Sequence, residues 1–359
     1  FSMAQYQYLF VYTILLLCVG LSSSSSCQPA QKDALLRIQS PIKYYFWNAS
    51  EDCCSWNKVS CDESGNVIRL NLDGYTEDNT LLPNSSIFEL RFLQNLTLGN
   101  DDHGPPFING SIPNEIAKLT ELRVLIVYGY RGPIPSSIVT LTKLRVLQLS
   151  AGGLTGSIPP SIGNLRQLTS LAFVLNDLSG SIPESIGSLT NLVDLVISNN
   201  KLTGKIPTSI FNLPNLENLS VDNNRLEGTI PRNIRPDSKL QYLFLFSNRF
   251  NGSVPAWLFT RSLRTVMIHN NNYSGQIEPF RVPRVSFLEI VYMNNNNLEG
   301  PLLPALPALE TLYLSHNKFV GKIPNGYCGM NEVDLSFNKL KAQCQQFKKS
   351  CKKQTFVVC

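Results

Sequence analysis

With 43% hydrophobic and only 16% charged residues among 359, the chain can bury a long core, which excludes a disordered polymer. The formal charge of +5 is unevenly placed: six Lys and no acid lie between Leu335 and Cys359. The remainder is near neutral and offers no general nucleic-acid face.

In chain order, Phe1 and Ser2 precede Met3, and Leu9 to Leu21 is an apolar run followed by five serines. That run is too short to span a bilayer and suits the core of a secretory signal peptide, expected over 1–26, although no Lys or Arg precedes Lys32. A cysteine-paired cap is expected over 27–66. It opens with KDALLRIQ, a short amphipathic helix from Lys32, and continues as W-x-x-x-x-x-CC-x-W-x-x-V-x-CD through Trp47, Cys53, Cys54, Trp56, Val59, Cys61 and Asp62.

From 67 to 338 one pattern returns, clearest in Leu192 to Pro207, LVDLVISNNKLTGKIP, which reads L-x-x-L-x-L-x-x-N-x-L-x-G-x-I-P. Its Asn recurs at Asn176, Asn200, Asn224 and Asn248, then at Asn271, Asn296, Asn317 and Asn338. Self-similarity at this period predicts a leucine-rich-repeat solenoid: an α/β, right-handed, curved stack with a parallel concave sheet. Short 3-10 helices and turns are expected on its convex side, and disulfides at its ends. A lone strand cannot bury its Leu side, whereas stacked strands can, each buried Leu or Ile contributing roughly 1.5 to 3 kcal/mol. The Asn is expected to be a structural ladder that satisfies backbone groups where the chain leaves each strand.

Strands are expected at Leu70, Leu96, Leu125, Leu147, Leu171, Leu195, Leu219, Leu243, Val266, Val291, Leu312 and Val333. Irregular repeats occur at the insertion Asp101 to Phe107, at Tyr130 in place of the ladder Asn, and at Glu278 in place of Pro. A basic cap is expected over 339–359.

Of nine Cys, Cys18 falls in the signal segment; four precede the repeats and four lie at or after their end. A solenoid exposes its core at both ends and must be capped. The pairings expected are Cys27 with Cys53, Cys54 with Cys61, Cys328 with Cys344, and Cys351 with Cys359. No C-x-x-C or clustered His suggests a metal, and no cofactor fingerprint occurs. The sequons are Asn48, Asn84, Asn95, Asn109, Asn218, Asn251 and Asn272.

Strand alternation points a partner-binding set toward the concave side. It comprises Val174, Asp194, Val196, Ser198, Ser220, Asp222, Tyr242, Phe244, Phe246, Met267, His269, Tyr292 and Tyr313. Phe244, Met267, Tyr292 and Tyr313 form one column, suited to anchoring a partner or, alternatively, to a cross-strand ladder. No nucleophile and base are placed together, so no catalytic residue is assigned and an enzyme is not expected.

The cap signature and the G-x-I-P repeats resemble the plant extracellular leucine-rich-repeat group, and within it most closely the polygalacturonase-inhibiting proteins. The end, CQQFKKSCKKQTFVVC, departs from that family's usual cap. The resemblance implies a secreted apoplast or cell-wall protein that covers the cleft of a microbial endopolygalacturonase in plant defence. The alternatives are a receptor-like or co-receptor ligand-sensing protein, with a receptor kinase as partner, and an ice-binding protein using the hydroxyls of Thr155, Ser179 and Thr203. Lys348, Lys349, Lys352 and Lys353 are candidate pectin contacts.

Overall fold

A computed structural model describes residues 26–39, 47–72, 86–99, 110–260 and 262–340, and the backbone of 356–358. The signal segment up to residue 25, the insertion 101–107, Asn84, Asn109, Cys344, Cys351, Cys359 and the four candidate pectin-contact lysines lie outside the described residues.

One sheet of fourteen strands runs the length of the array. Every expected strand is present, and all are parallel and in register: Leu70 pairs with Leu96, Leu96 with Leu125, and so on through Leu195, Leu219, Leu243, Val266, Val291 and Leu312 to Val333. Two further strands close its ends. Val59–Cys61 pairs antiparallel with Val67–Leu72 in the cap, and Phe356–Val358 pairs parallel with Glu332–Asp334. The Leu and Val of the register column are almost wholly buried, which makes one continuous core.

The Asn ladder does what its chemistry suggests. Asn200 Nδ2 donates to the carbonyls of Phe173 (2.7 Å) and Ser198 (3.0 Å), while its Oδ1 accepts the N–H of Leu178 (3.1 Å). Asn176, Asn224, Asn271 and Asn317 repeat this pattern with their own neighbours. The residue before each ladder Asn takes a left-handed backbone, as at Asn199 (φ 57) and Asn223 (φ 53). Where Tyr130 replaces the Asn it is buried, and the next repeat has Gly152 at that position because a Cβ there would collide with the Tyr130 carbonyl. Glu278, in place of Pro, accepts the N–H of Ala256 (3.3 Å) and an ion pair from Arg232 (3.3 Å).

After the ladder, the L-x-G segments form a second, six-stranded parallel sheet from Thr203–Gly204 to Lys318–Val320. Only turns and 3-10 helices were expected there. Short 3-10 helices follow in most repeats, with Pro113, Pro135, Pro183, Pro255 and Pro324 at their N-caps. Proline presets the extended entry and loses no needed donor.

At the N-terminal end the helix Pro29–Gln39 covers the first strands, with Ala34, Leu35 and Ile38 buried. Cys27 pairs with Cys53 and Cys54 with Cys61, and Trp47 stacks on Trp56 with centroids 5.3 Å apart. The four sulfurs lie within 4.8 Å of one another, but as two cystines they have no thiolate to offer a metal. Cys328 is disulfide-bonded as well, to a partner outside the described residues.

Candidate functional site on the concave sheet

Three columns of side chains face the concave side, because alternate strand residues share a face and the strands are in register. The first runs Asp194, Asn218, Tyr242, Thr265, Ile290, Thr311, Glu332, and the second Val196, Ser220, Phe244, Met267, Tyr292, Tyr313, Asp334. The third lies just past the strands and includes Val174, Ser198, Asp222, Phe246 and His269.

The structure divides the expected contact set in two. Val174, Asp194, Val196, Tyr242, Phe246, Tyr292 and Tyr313 are half-buried and reachable by a partner. Ser198, Ser220, Asp222, Phe244, Met267 and His269 are buried, and this corrects their expected role as contacts. They are not inward residues of the core, for Leu243 and Leu245 flank Phe244 on the other face. Phe244 is covered from its own face, packing on Tyr242 with centroids 6.5 Å apart and lying in register between Ser220 and Met267. Around this point the column is a cross-strand ladder.

Asp222 is buried because its neighbours satisfy it. Ser198 Oγ (2.7 Å) and Ser220 Oγ (2.6 Å) both donate to its Oδ1, and Asn223 Nδ2 donates to Oδ2 (2.8 Å). Burial pushes its carboxyl above the usual range, and those three hydrogen bonds pull it partly back. Asp194 is pushed up to about 6, by burial first and by the nearby Glu217 carboxylate second, against a hydrogen bond from Asn218. Asn218 is itself buried with that bond made, so a glycan there would have to displace it, which corrects its expected use as a sequon. Asn48, Asn251 and Asn272 are exposed, and Asn95 is half-buried.

His269 is held down to about 4 by burial, and its Nδ1 has no hydrogen-bond partner. Phe246 stacks on its ring (4.6 Å), and the edge of Tyr292 meets it (5.9 Å). Phe246 occupies the strand between Asp222 and His269, so Ser, Asp and His are present without forming a relay. Among the described residues the face has the makings of a binding surface and not of a nucleophile with its base.

Beyond the expected set, Tyr313 Oη donates to Glu332 Oε2 (2.6 Å), and Asp334 pairs in register with Tyr313. The same alternation that exposed Tyr313 would have found both acids had it been carried one strand further. Arg264 bonds Glu289 (3.0 Å) and lies over Phe287 (5.9 Å), an arrangement set by stacking of neighbouring repeats that no single repeat discloses.

A family profile described as a leucine-rich repeat region matches residues 70–353. This chain belongs to the leucine-rich-repeat family. Receptor-like protein 7 of Arabidopsis thaliana is 42% identical to this repeat protein over 103 residues, 28% of this chain and 10% of that protein. Receptor-like protein 31 of Arabidopsis thaliana is 33% identical over 138 residues, 34% and 16% of the respective chains. The repeat protein thus spans 10% to 16% of the length of these curated relatives. Among solved structures, a plant ice-binding protein is 30% identical with a TM-score of 0.65, covering 84% of this chain and 90% of that one. A TDR receptor is 30% identical with a TM-score of 0.63, over 70% and 44%. The ectodomain of the Arabidopsis receptor kinase HAESA, solved with a peptide hormone ligand, is 25% identical with a TM-score of 0.52, over 86% and 61%. The two curated relatives are named receptor-like proteins, and these matches carry nothing specific to polygalacturonase inhibitors. No helix of the described residues is long and apolar enough to cross a membrane.

Proposed function

We propose that this repeat array is the extracellular ligand-sensing part of a receptor-like protein, which takes an extended peptide or a partner's exposed segment along its concave face. The observation that carries this is the exposure pattern. The centre of the face is self-satisfied around Asp222, while Tyr242, Phe246, Tyr292 and Tyr313 remain reachable on a rigid, in-register sheet. Partly exposed aromatics on a stiff scaffold make contact area at little entropic cost. The likeness to the HAESA ectodomain, solved with a peptide, supports the class of ligand. The cystines of the cap suit an oxidising, extracellular setting.

A second reading is favoured by one specific likeness, that to the plant ice-binding protein over most of both chains. Thr155, Ser179 and Thr203 are exposed at matching template positions, with Thr155 and Thr203 on short strands. The next repeats replace them with Glu227 and Asn251, which limits a regular hydroxyl plane to a short stretch.

The deciding experiment selects binders to the purified full chain from a random dodecapeptide library. In parallel, the chain is assayed for inhibition of fungal endopolygalacturonases and for thermal hysteresis. Ligand sensing predicts selected peptides that raise the melting temperature and that bind poorly to a Tyr292→Ala/Tyr313→Ala variant. Inhibition of the hydrolases without any peptide binder would return the protein to the inhibitor class, and thermal hysteresis alone would assign it to ice.

A further inference from the structure

We infer that the segment 279–287, between the second-sheet strand Asn272–Gln276 and the concave strand Ile290–Tyr292, is a docking strip for a protein partner that presents Asp or Glu beside apolar side chains. In neighbouring repeats the residue three before the last buried Leu is itself core: Leu189 before Leu192, Leu213 before Leu216 and Leu306 before Leu309 are all buried. Here Val285 stands three before the buried Leu288 and is 68% exposed, with Val282 43% and Phe287 50% exposed. Leu189 and Leu213 close 3-10 helices. No such helix forms within 279–287, because Pro283 has no N–H to give and holds Val282 out of the helical region. Phe280 turns inward instead, stacking on Phe259 with centroids 5.1 Å apart.

Of the seven large hydrophobic residues exposed among the described residues, three therefore fall within 282–287, which makes a patch and not scattered singles. The patch is held in place at one end, where Arg264 lies over the Phe287 ring (5.9 Å) and is itself fixed by Glu289 (3.0 Å). Among the described residues, 279–288 make no backbone–backbone hydrogen bond, so the main chain is open to a partner's extended segment.

Charge says what that segment carries. Arg281 and Arg284 are exposed between the apolar residues, and neither has an ion-pair partner among the described residues. The acids that bound the segment are engaged elsewhere, Glu278 by Arg232 (3.3 Å) and Glu289 by Arg264. Outside the described residues, position 261 is Arg and 341–359 hold no acidic side chain. Asp73, Glu77, Asp78, Asp101 and Asp102 flank Asn95–Leu98 in the chain, a strand eight places along the sheet from Ile290–Tyr292. Arginine with exposed aromatic and aliphatic groups is the composition of a protein interface, and its guanidinium pairs a carboxylate bidentately. An anionic lipid surface would offer similar chemistry, but that surface is cytoplasmic, which the extracellular reading disfavours.

The test selects peptides from a random dodecapeptide library on the full chain and counter-selects them on Arg281→Gln/Arg284→Gln. Survivors should be rich in Asp or Glu and in apolar residues. They should bind the unaltered chain at least about tenfold more tightly than Arg281→Gln/Arg284→Gln or Val285→Ser/Phe287→Ser, and Asn or Gln in place of their acids should cost about tenfold. All four side chains are exposed, so both variants should keep the melting temperature of the unaltered chain. Tyr292→Ala/Tyr313→Ala should leave this binding unchanged, which separates the strip from the concave site. No survivors, survivors without acids, or binding lost only with the tyrosine changes would overturn the strip. Retention on phosphatidylserine-containing vesicles that both strip variants abolish, with no surviving peptide, would overturn it in favour of a lipid surface.

Discussion

The Oδ1 of Asn200 accepts the backbone N–H of Leu178 from the preceding repeat at 3.1 Å. Because the same amide donates to the carbonyls of Phe173 and Ser198, one side chain joins two repeats at a buried point. Asn200→Ala should lower the urea unfolding free energy by about 3 kcal/mol, since a buried donor and buried acceptors lose their partner together. A loss below about 0.5 kcal/mol would show that the ladder is not needed for cohesion between repeats.

Leu175 (φ 57) and Phe337 (φ 54) occupy the left-handed position that Asn199, Asn223, Asn270 and Asn295 fill elsewhere. Asn tolerates that conformation better than a large side chain does. Leu175 is 42% exposed, so Leu175→Asn sacrifices little packing and should raise stability by about 0.5 to 1 kcal/mol. Phe337→Asn should gain less, because the Phe337 ring stacks on His316 with centroids 4.1 Å apart. Thermal melts of the two variants side by side check the order.

Asp194 and His269 should oppose each other in acid. The folded carboxyl of Asp194 lies at about 6, above its unfolded value near 3.8, so it disfavours the ionised fold at neutral pH, and stability returns as pH falls from 6 to 3.8. Asp222, also raised, acts in the same sense. His269, at about 4 when folded against 6.5 when free, has the other sign: stability is lost as pH falls through that window. For Asp194 and for His269 the effect is on the order of 3 kcal/mol. Between pH 6.5 and 4, Asp194→Asn should therefore steepen the loss of stability on acidification, and His269→Asn should convert it toward a gain. Parallel pH profiles for the two variants would contradict this assignment.

Peptide mapping of the protein from a plant host should show glycans at Asn251 and Asn272 and an unmodified Asn218. The first two are exposed on the second sheet, while Asn218 is buried against Asp194. A fully occupied Asn218 would mean that the Asp194 region is open in the native protein.

Most of the fold was legible because each strand carries its own burial signal: a Leu at Leu195 or Leu243 predicts a strand whatever its neighbours do. The second sheet was not, since L-T-G at 202–204 also spells an ordinary turn, and only pairing with Arg225–Gly228 makes it a strand. For the concave face, alternation assigned the side of Phe244 and Asp222 and could not assign their depth. Depth depends on Tyr242 packing on Phe244 and on Ser198 reaching across a strand to Asp222. The first is a packing of side chains two residues apart on one strand and the second joins residues one repeat apart, and alternation encodes neither.

The most direct measurement is the affinity of a library-selected peptide for two variants, one altered on the concave sheet and one along the L-x-G segments. If the ligand lies along the concave strands, Tyr292→Ala/Tyr313→Ala should weaken binding by at least about tenfold, and Thr155→Lys/Ser179→Lys/Thr203→Lys in the L-x-G segments should leave it unchanged. Binding that survives the tyrosine changes and is lost with the lysines would place the partner on the opposite surface and contradict a concave ligand site.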